Sequence, residues 1–86
     1  MYTLIYSSAA LKQLEKLDKP LQERILSTLE RLRIRPESCN IKKLIGMEGY
    51  RLRVGNYRII FDMEKDKLLI LILKIGHRKQ IYDKLK

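Results

Sequence analysis

The spacing of apolar residues changes period partway along the chain, and that change predicts most of the architecture. Tyr2 to Tyr6 is a short β-rich run and predicts a first strand. Leu11, Leu14 and Leu17 then recur at helical steps, with Ser7 or Ser8 available to cap the helix. Asp18-Lys19-Pro20 interrupts that stripe, and Pro20 suits the first position of a second helix. There Leu21, Ile25, Leu29 and Leu32 form an apolar face, with Gln22, Glu23, Arg24, Glu30 and Arg31 facing out, and Arg35-Pro36 ends the helix. So short a connection predicts an antiparallel helical hairpin.

Glu37 to Asn40 reads as a loop, and Ile41 to Gly49 holds little periodic signal. From Tyr50 the period becomes two: Tyr50, Leu52 and Val54 alternate with Arg51 and Arg53. Gly55-Asn56 predicts a two-residue type II′ turn, and a second strand runs from Tyr57 to about Met63. After the polar turn Glu64 to Lys67, the run Leu68 to Ile75 is apolar on both faces. It predicts a strand in the middle of the sheet, covered on both sides and stopped by Gly76. His77 to Lys86 predicts a short helix held by Ile81 and Leu85. The expected fold is α+β, in the order β-α-α-β-β-β-α, with an N-terminal helical hairpin packed on a mostly antiparallel sheet.

With 86 residues, the chain is expected to be one domain spanning 1–86. A two-residue hairpin loop sets Val54 opposite Tyr57, Leu52 opposite Ile59 and Arg53 opposite Arg58. The first two pairs are apolar and should take the helices. Arg51, Arg53 and Arg58 then share the other side of the sheet. Like charges directly opposite one another repel. Two readings fit such a pair: an anionic ligand sits between the arginines, or Asp62 or a tail carboxylate neutralises them. Arg78 and Tyr82, one helical turn apart, either overhang the arginine face or belong to a plain basic amphipathic tail.

Charge and cysteine content narrow the chemistry. The net charge is +9, and residues 41–86 carry 12 Lys/Arg against 5 Asp/Glu, whereas residues 1–40 carry 7 against 5. A surplus concentrated in one half favours a polyanionic partner, although a solvated basic surface has the same composition. Cys39 is the single cysteine, so no intramolecular disulfide is possible, and no cluster of metal-ligand residues is evident. No cofactor is expected. The longest apolar run, Leu68 to Leu73, is too short to cross a bilayer, and the start of the chain has no signal-peptide pattern. A cytoplasmic protein with no membrane partner is the expectation.

Tyr50-Arg-Leu-Arg-Val-Gly-Asn-Tyr-Arg-Ile-Ile, the apolar strand after it, and Ile75-Gly-His-Arg-Lys-Gln-Ile-Tyr82 together resemble the RelE/ParE superfamily of toxins. The Lys43-Leu44 and Gly46 stretch and the helical hairpin fit the same family, so the resemblance spans nearly the whole chain. It implies a compact RelE-like domain and the toxin of a type II toxin–antitoxin system, one that cuts mRNA in the ribosomal A site. The implied partners are an acidic, RelB-like antitoxin, the ribosome and mRNA. It implies catalytic roles for Arg58, Arg78 and Tyr82, and RNA binding by Arg51, Arg53, Lys43, Lys74, His77 and Lys79.

In that reaction the 2′-OH attacks phosphorus, the 5′-oxygen leaves, and a 2′,3′-cyclic phosphate remains. Guanidinium groups suit the charge that builds on the phosphorane, and an aromatic ring suits a splayed base. The chain departs from some RelE-type enzymes at Arg51 and Arg53, where those have lysine. Arginine stays protonated, so proton transfer falls to Tyr82, to His77 or to the ribosome. A ParE-like gyrase inhibitor and a non-catalytic RNA- or antitoxin-binding member are the alternative implications. ParE-like members generally have longer N-terminal helices.

Overall fold

The computed structural model of the chain describes residues 1–77. Its elements are strand β1 (Thr3–Tyr6), helices α1 (Ser8–Glu15) and α2 (Lys19–Ile34), a 3₁₀ turn (Pro36–Ser38), and strands β2 (Ile41–Lys43), β3 (Tyr50–Val54), β4 (Tyr57–Glu64) and β5 (Leu69–His77). The strands form one sheet in the order β1-β5-β4-β3-β2. Only the β1–β5 pair is parallel. This is the expected α+β arrangement of two helices on a mostly antiparallel sheet. The expected C-terminal helix, with Arg78, Lys79 and Tyr82, lies outside the described residues.

Local chemistry accounts for the helix boundaries. Ser7 caps α1, its Oγ accepting from the Ala10 amide at 3.0 Å while donating to the Leu73 carbonyl at 2.7 Å. Gln22 closes the other end: its Nε2 donates to the carbonyls of Leu14 (2.9 Å) and Leu17 (3.0 Å). The Leu14 carbonyl also accepts from the Leu17 amide at 3.2 Å, so the Gln22 side chain adds a donor at the end of α1 and ties the two helices together. Pro20 sits in the first turn of α2, one place later than the sequence suggests, because Asp18 is the N-cap and the helix begins at Lys19.

The core lies between the helices and one face of the sheet. Ala10, Ile25, Leu29 and Leu32 from the helices meet Leu52, Val54, Ile59, Phe61, Ile70, Ile72 and Ile75 from the strands. At Gly55 the backbone has φ +60°, and Asn56 has no positive φ, which is the type II′ geometry expected of this hairpin.

Four features of the sheet differ from expectation. β2 is an additional strand, only three residues long, made by pairing with β3 and too short to show a period of its own. β5 begins at Leu69 rather than Leu68, because Leu68 takes a left-handed φ of 54° to close the turn. It also runs past Gly76 to His77, held by pairing of both residues with β4. Finally, β5 is flanked by β1 and β4, and among the described residues the helices cover only one of its faces. Ile70, Ile72 and Ile75 are buried, whereas Leu73 is 38% exposed. A bulge explains the odd spacing: Ile60 pairs with Lys74 and Phe61 with Ile72, leaving Leu73 as the extra residue.

Candidate RNA-binding face

Residues directly opposite in an antiparallel pair point to the same side, so the register assigns each side chain to a face. Leu52 pairs with Ile59 and Val54 with Tyr57 on the helix side, and Arg53 pairs with Arg58 on the other. Arg51 joins them there, between Lys42 on β2 and Ile60 on β4, and Ile60 in turn pairs with Lys74 on β5. A row Lys42–Arg51–Ile60–Lys74 thus crosses four strands beside the Arg53–Arg58 pair.

Four of these residues, with Asn40, enclose a cavity. About 180 Å³ in volume, it is lined by Asn40, Lys42, Arg51, Arg53 and Arg58, and none of these described residues is acidic. Arg58 is only 7% exposed, a rare state for arginine, and its Nη1 donates to the Tyr57 carbonyl at 3.3 Å. Arg53 is exposed, with Nε donating to the Gly55 carbonyl at 3.2 Å. Asp62 stands four residues from Arg58 along β4, about 13 Å at strand rise. Its Oδ1 accepts from the Met63 amide at 2.8 Å. Such a pocket favours a ligand with several negatively charged oxygens, which planar guanidiniums bind in pairs of hydrogen bonds.

Not every sequence-derived site residue gathers here. Lys74 lies on the arginine side but does not line the cavity. Lys43 pairs with Tyr50, which puts it on the helix side of the sheet. His77 pairs with Tyr57 and meets its ring edge-to-face at 5.5 Å, again on the helix side. Arg78, Lys79 and Tyr82 are outside the described residues. Two contributors, Asn40 and Lys42, were not singled out from the sequence. The alternation Ile41-Lys42 is the signal for the second, but it becomes legible only once β2 is known to be a strand. Among the described residues, no three His, Cys, Asp or Glu side chains come together as metal ligands, and no helix is long and apolar enough to cross a membrane.

Known proteins share this architecture. Two helices over a five-stranded sheet of this order define the RelE-like toxin domain. In the crystal structure of the archaeal RelE–RelB complex from Pyrococcus horikoshii OT3, one chain superposes with a TM-score of 0.77 at 30% identity, covering 90% of this chain and 94% of that one. The RelB–RelE antitoxin–toxin complex from Methanococcus jannaschii gives 0.77 at 29%, covering 95% and 99%. Toxin RelE3 of Methanocaldococcus jannaschii is 31% identical over 85 residues, 93% of this chain and 94% of the relative. The family model for the ParE toxin of type II toxin–antitoxin systems (parDE) matches residues 4–82. The chain belongs to this RelE/ParE family of type II toxins.

Proposed function

We propose that this chain, as a single toxin domain over residues 1–86, inhibits translation by cutting mRNA in the ribosomal A site. The observation that carries the reading is the cavity that brings Arg51, Arg53 and Arg58 together with Lys42, with Arg58 nearly buried at its wall. A sequence under selection only to fold has cheaper choices than two arginines directly opposite on neighbouring strands.

The proposed reaction is internal transesterification. The 2′-OH loses its proton and attacks the adjacent phosphorus, the P–O5′ bond breaks, and the 5′-oxygen takes up a proton. The products are a 2′,3′-cyclic phosphate and a new 5′-hydroxyl. Arg58 and Arg78 stabilise the charge on the phosphorane, while Arg51, Arg53 and Lys42 hold flanking phosphates. Tyr82 is assigned the proton transfer.

The partner in the free state is an acidic antitoxin, a reading supported by the neighbouring structures being RelE–RelB complexes. Exposed Leu11, Leu26 and Ile34 on the helices offer it apolar surface. The protein is expected to act in the cytoplasm, where its substrate is.

The test is a translating-ribosome assay with mRNA 5′ ends mapped. A-site cuts that vanish in Arg58→Ala, Arg78→Ala and Tyr82→Phe are the expected result. Binding to RNA should also weaken steeply with salt; a dissociation constant that barely moves refutes the phosphate-contact basis. The ParE name of the family model favours one alternative, inhibition of DNA gyrase. Intact mRNA with blocked supercoiling would establish it, and intact mRNA with untouched gyrase would mark a non-catalytic member. The eight-residue length of α1 supports the RNA reading over the gyrase one.

A further inference from the structure

Next to the arginine cavity, and sharing Asn40 and Arg53 with it, lies a groove of about 470 Å³ between α2 and the β3–β4 turn. Its helical wall is Arg24, Ser27, Thr28 and Arg31. These follow i, i+3, i+4, i+7 spacing and so form one continuous stripe of α2. The core uses other positions of the same helix, Ile25, Leu29 and Leu32. None of the described lining residues is acidic. Among the described residues Arg24 and Arg31 form no ion pair, whereas Arg33 on the same helix is held by Glu30.

Two guanidiniums from different layers converge on the hairpin turn. A Cβ at Gly55 would lie 3.3 Å from Arg24 Nη1, so the missing side chain leaves room for the Arg24 guanidinium over the turn. Arg53 reaches the same residue from the sheet through the Gly55 carbonyl. The turn thus joins the groove to the cavity in one unbroken cationic track.

We propose that the groove is a second phosphate subsite for the same RNA strand. With the scissile phosphate on Arg58 and a flanking one on Arg53, the strand passes over the hairpin turn, and a further phosphate meets Arg24 and Arg31. This rests on the RNA-cleaving reading above. The groove's mix of cations and a hydroxyl acceptor fits RNA, which carries both phosphates and 2′-OH groups. Thr28 Oγ1 already donates to the Arg24 carbonyl at 2.9 Å, so it faces the groove as an acceptor. An acceptor suits a ribose 2′-OH and is no help to a carboxylate.

The experiment compares the intact protein with Arg24→Ala/Arg31→Ala and Arg24→Lys/Arg31→Lys, binding a single-stranded RNA dodecamer and a trinucleotide by fluorescence anisotropy. Removing two contacts to single-stranded RNA should lower the slope of log affinity against log salt by about 1.4. Between about 50 and about 200 mM salt, the intact protein should therefore lose about sevenfold more affinity for the dodecamer than the alanine variant does. The trinucleotide, which fills only the cavity, should bind all three proteins alike, and the lysine variant should keep the intact protein's slope. Both arginines are exposed, and the lysine variant controls for any loss of fold.

An unchanged slope for the dodecamer overturns the proposal. So does unchanged dodecamer binding with weakened binding to isolated small ribosomal subunits, which would assign the groove to ribosomal RNA. Weakened binding of poly-L-glutamate without an effect on the dodecamer would assign it to an acidic peptide, and overturns it too. Failure of the cleavage reading is separate: intact mRNA on ribosomes, with dodecamer binding still dependent on Arg24 and Arg31, removes the reaction and leaves the subsite.

Discussion

The burial difference between Arg53 and Arg58 sets an order for their contributions. The two stand directly opposite on β3 and β4 and are equal in charge, yet one is exposed and the other is 7% exposed at the cavity wall. A pair of unit charges about 4 Å apart is worth about 1 kcal/mol in bulk water and about 4 kcal/mol at an effective dielectric of about 20. Assigning the first to Arg53 and the second to Arg58 leaves a gap of about 3 kcal/mol. That corresponds to slightly over two decades in rate at about 1.4 kcal/mol per decade. Arg58→Ala should therefore slow single-turnover cleavage on programmed ribosomes by about a hundredfold more than Arg53→Ala, within the range known for removing one transition-state donor. Arg58→Met, which keeps the apolar stem packed in the sheet, separates lost charge from lost packing and should be as inactive as Arg58→Ala. Thermal melting confirms that each variant is folded. Equal losses at the two positions, or less than a tenfold loss in a folded Arg58→Met protein, would refute the reasoning.

Three further outcomes follow from geometry elsewhere in the fold. Gly55→Ala imposes φ +60° on a residue with a side chain and presses its Cβ against Arg24. It should cost about 1–2 kcal/mol in urea unfolding, and a neutral effect would contradict the turn assignment. Gln22→Leu removes the side-chain amide at the end of α1, while the Leu14 carbonyl keeps the Leu17 amide, and should cost about 0.5–1.5 kcal/mol by the same measurement. Hydrogen bonding to Arg33 holds the Glu30 carboxyl below its ordinary range. A lowered folded-state value means that the bridge stabilises above the unfolded value and is lost as pH falls through the folded one. The melting-temperature advantage over Glu30→Gln should thus be present at neutral pH, shrink with added salt, and vanish in acid; a gain on acidification would show the sign to be wrong.

How much was legible in the chain differs from element to element, for physical reasons. The arginine pair is a local consequence of sequence. Gly55-Asn56 closes a two-residue turn, the turn sets the register, and the register puts Arg53 against Arg58. Any reader of the alternation from Tyr50 to Ile60 reaches that pairing, because each step involves neighbours in the chain. The helices are legible on the same ground, since their apolar stripes and caps lie within a few residues of one another.

Everything that depends on distant segments required the folded structure. β2 exists because β3 offers it hydrogen bonds, and so Lys42 rather than Lys43 joins the arginines. The bulge at Leu73 carries both Ile72 and Ile75 to the core, which no strict two-residue period allows. The β5 strand continues through Gly76 because β4 is long enough to pair with it, and this carries His77 to the helix side against Tyr57. Above all, the sequence determined which cations lie together on one hairpin, because turn and register are short-range. Only tertiary packing decided that Arg58 is buried while Arg53 is not, and that α2 brings Arg24 to the same turn, because burial and inter-layer approach are set by parts of the chain far apart in sequence.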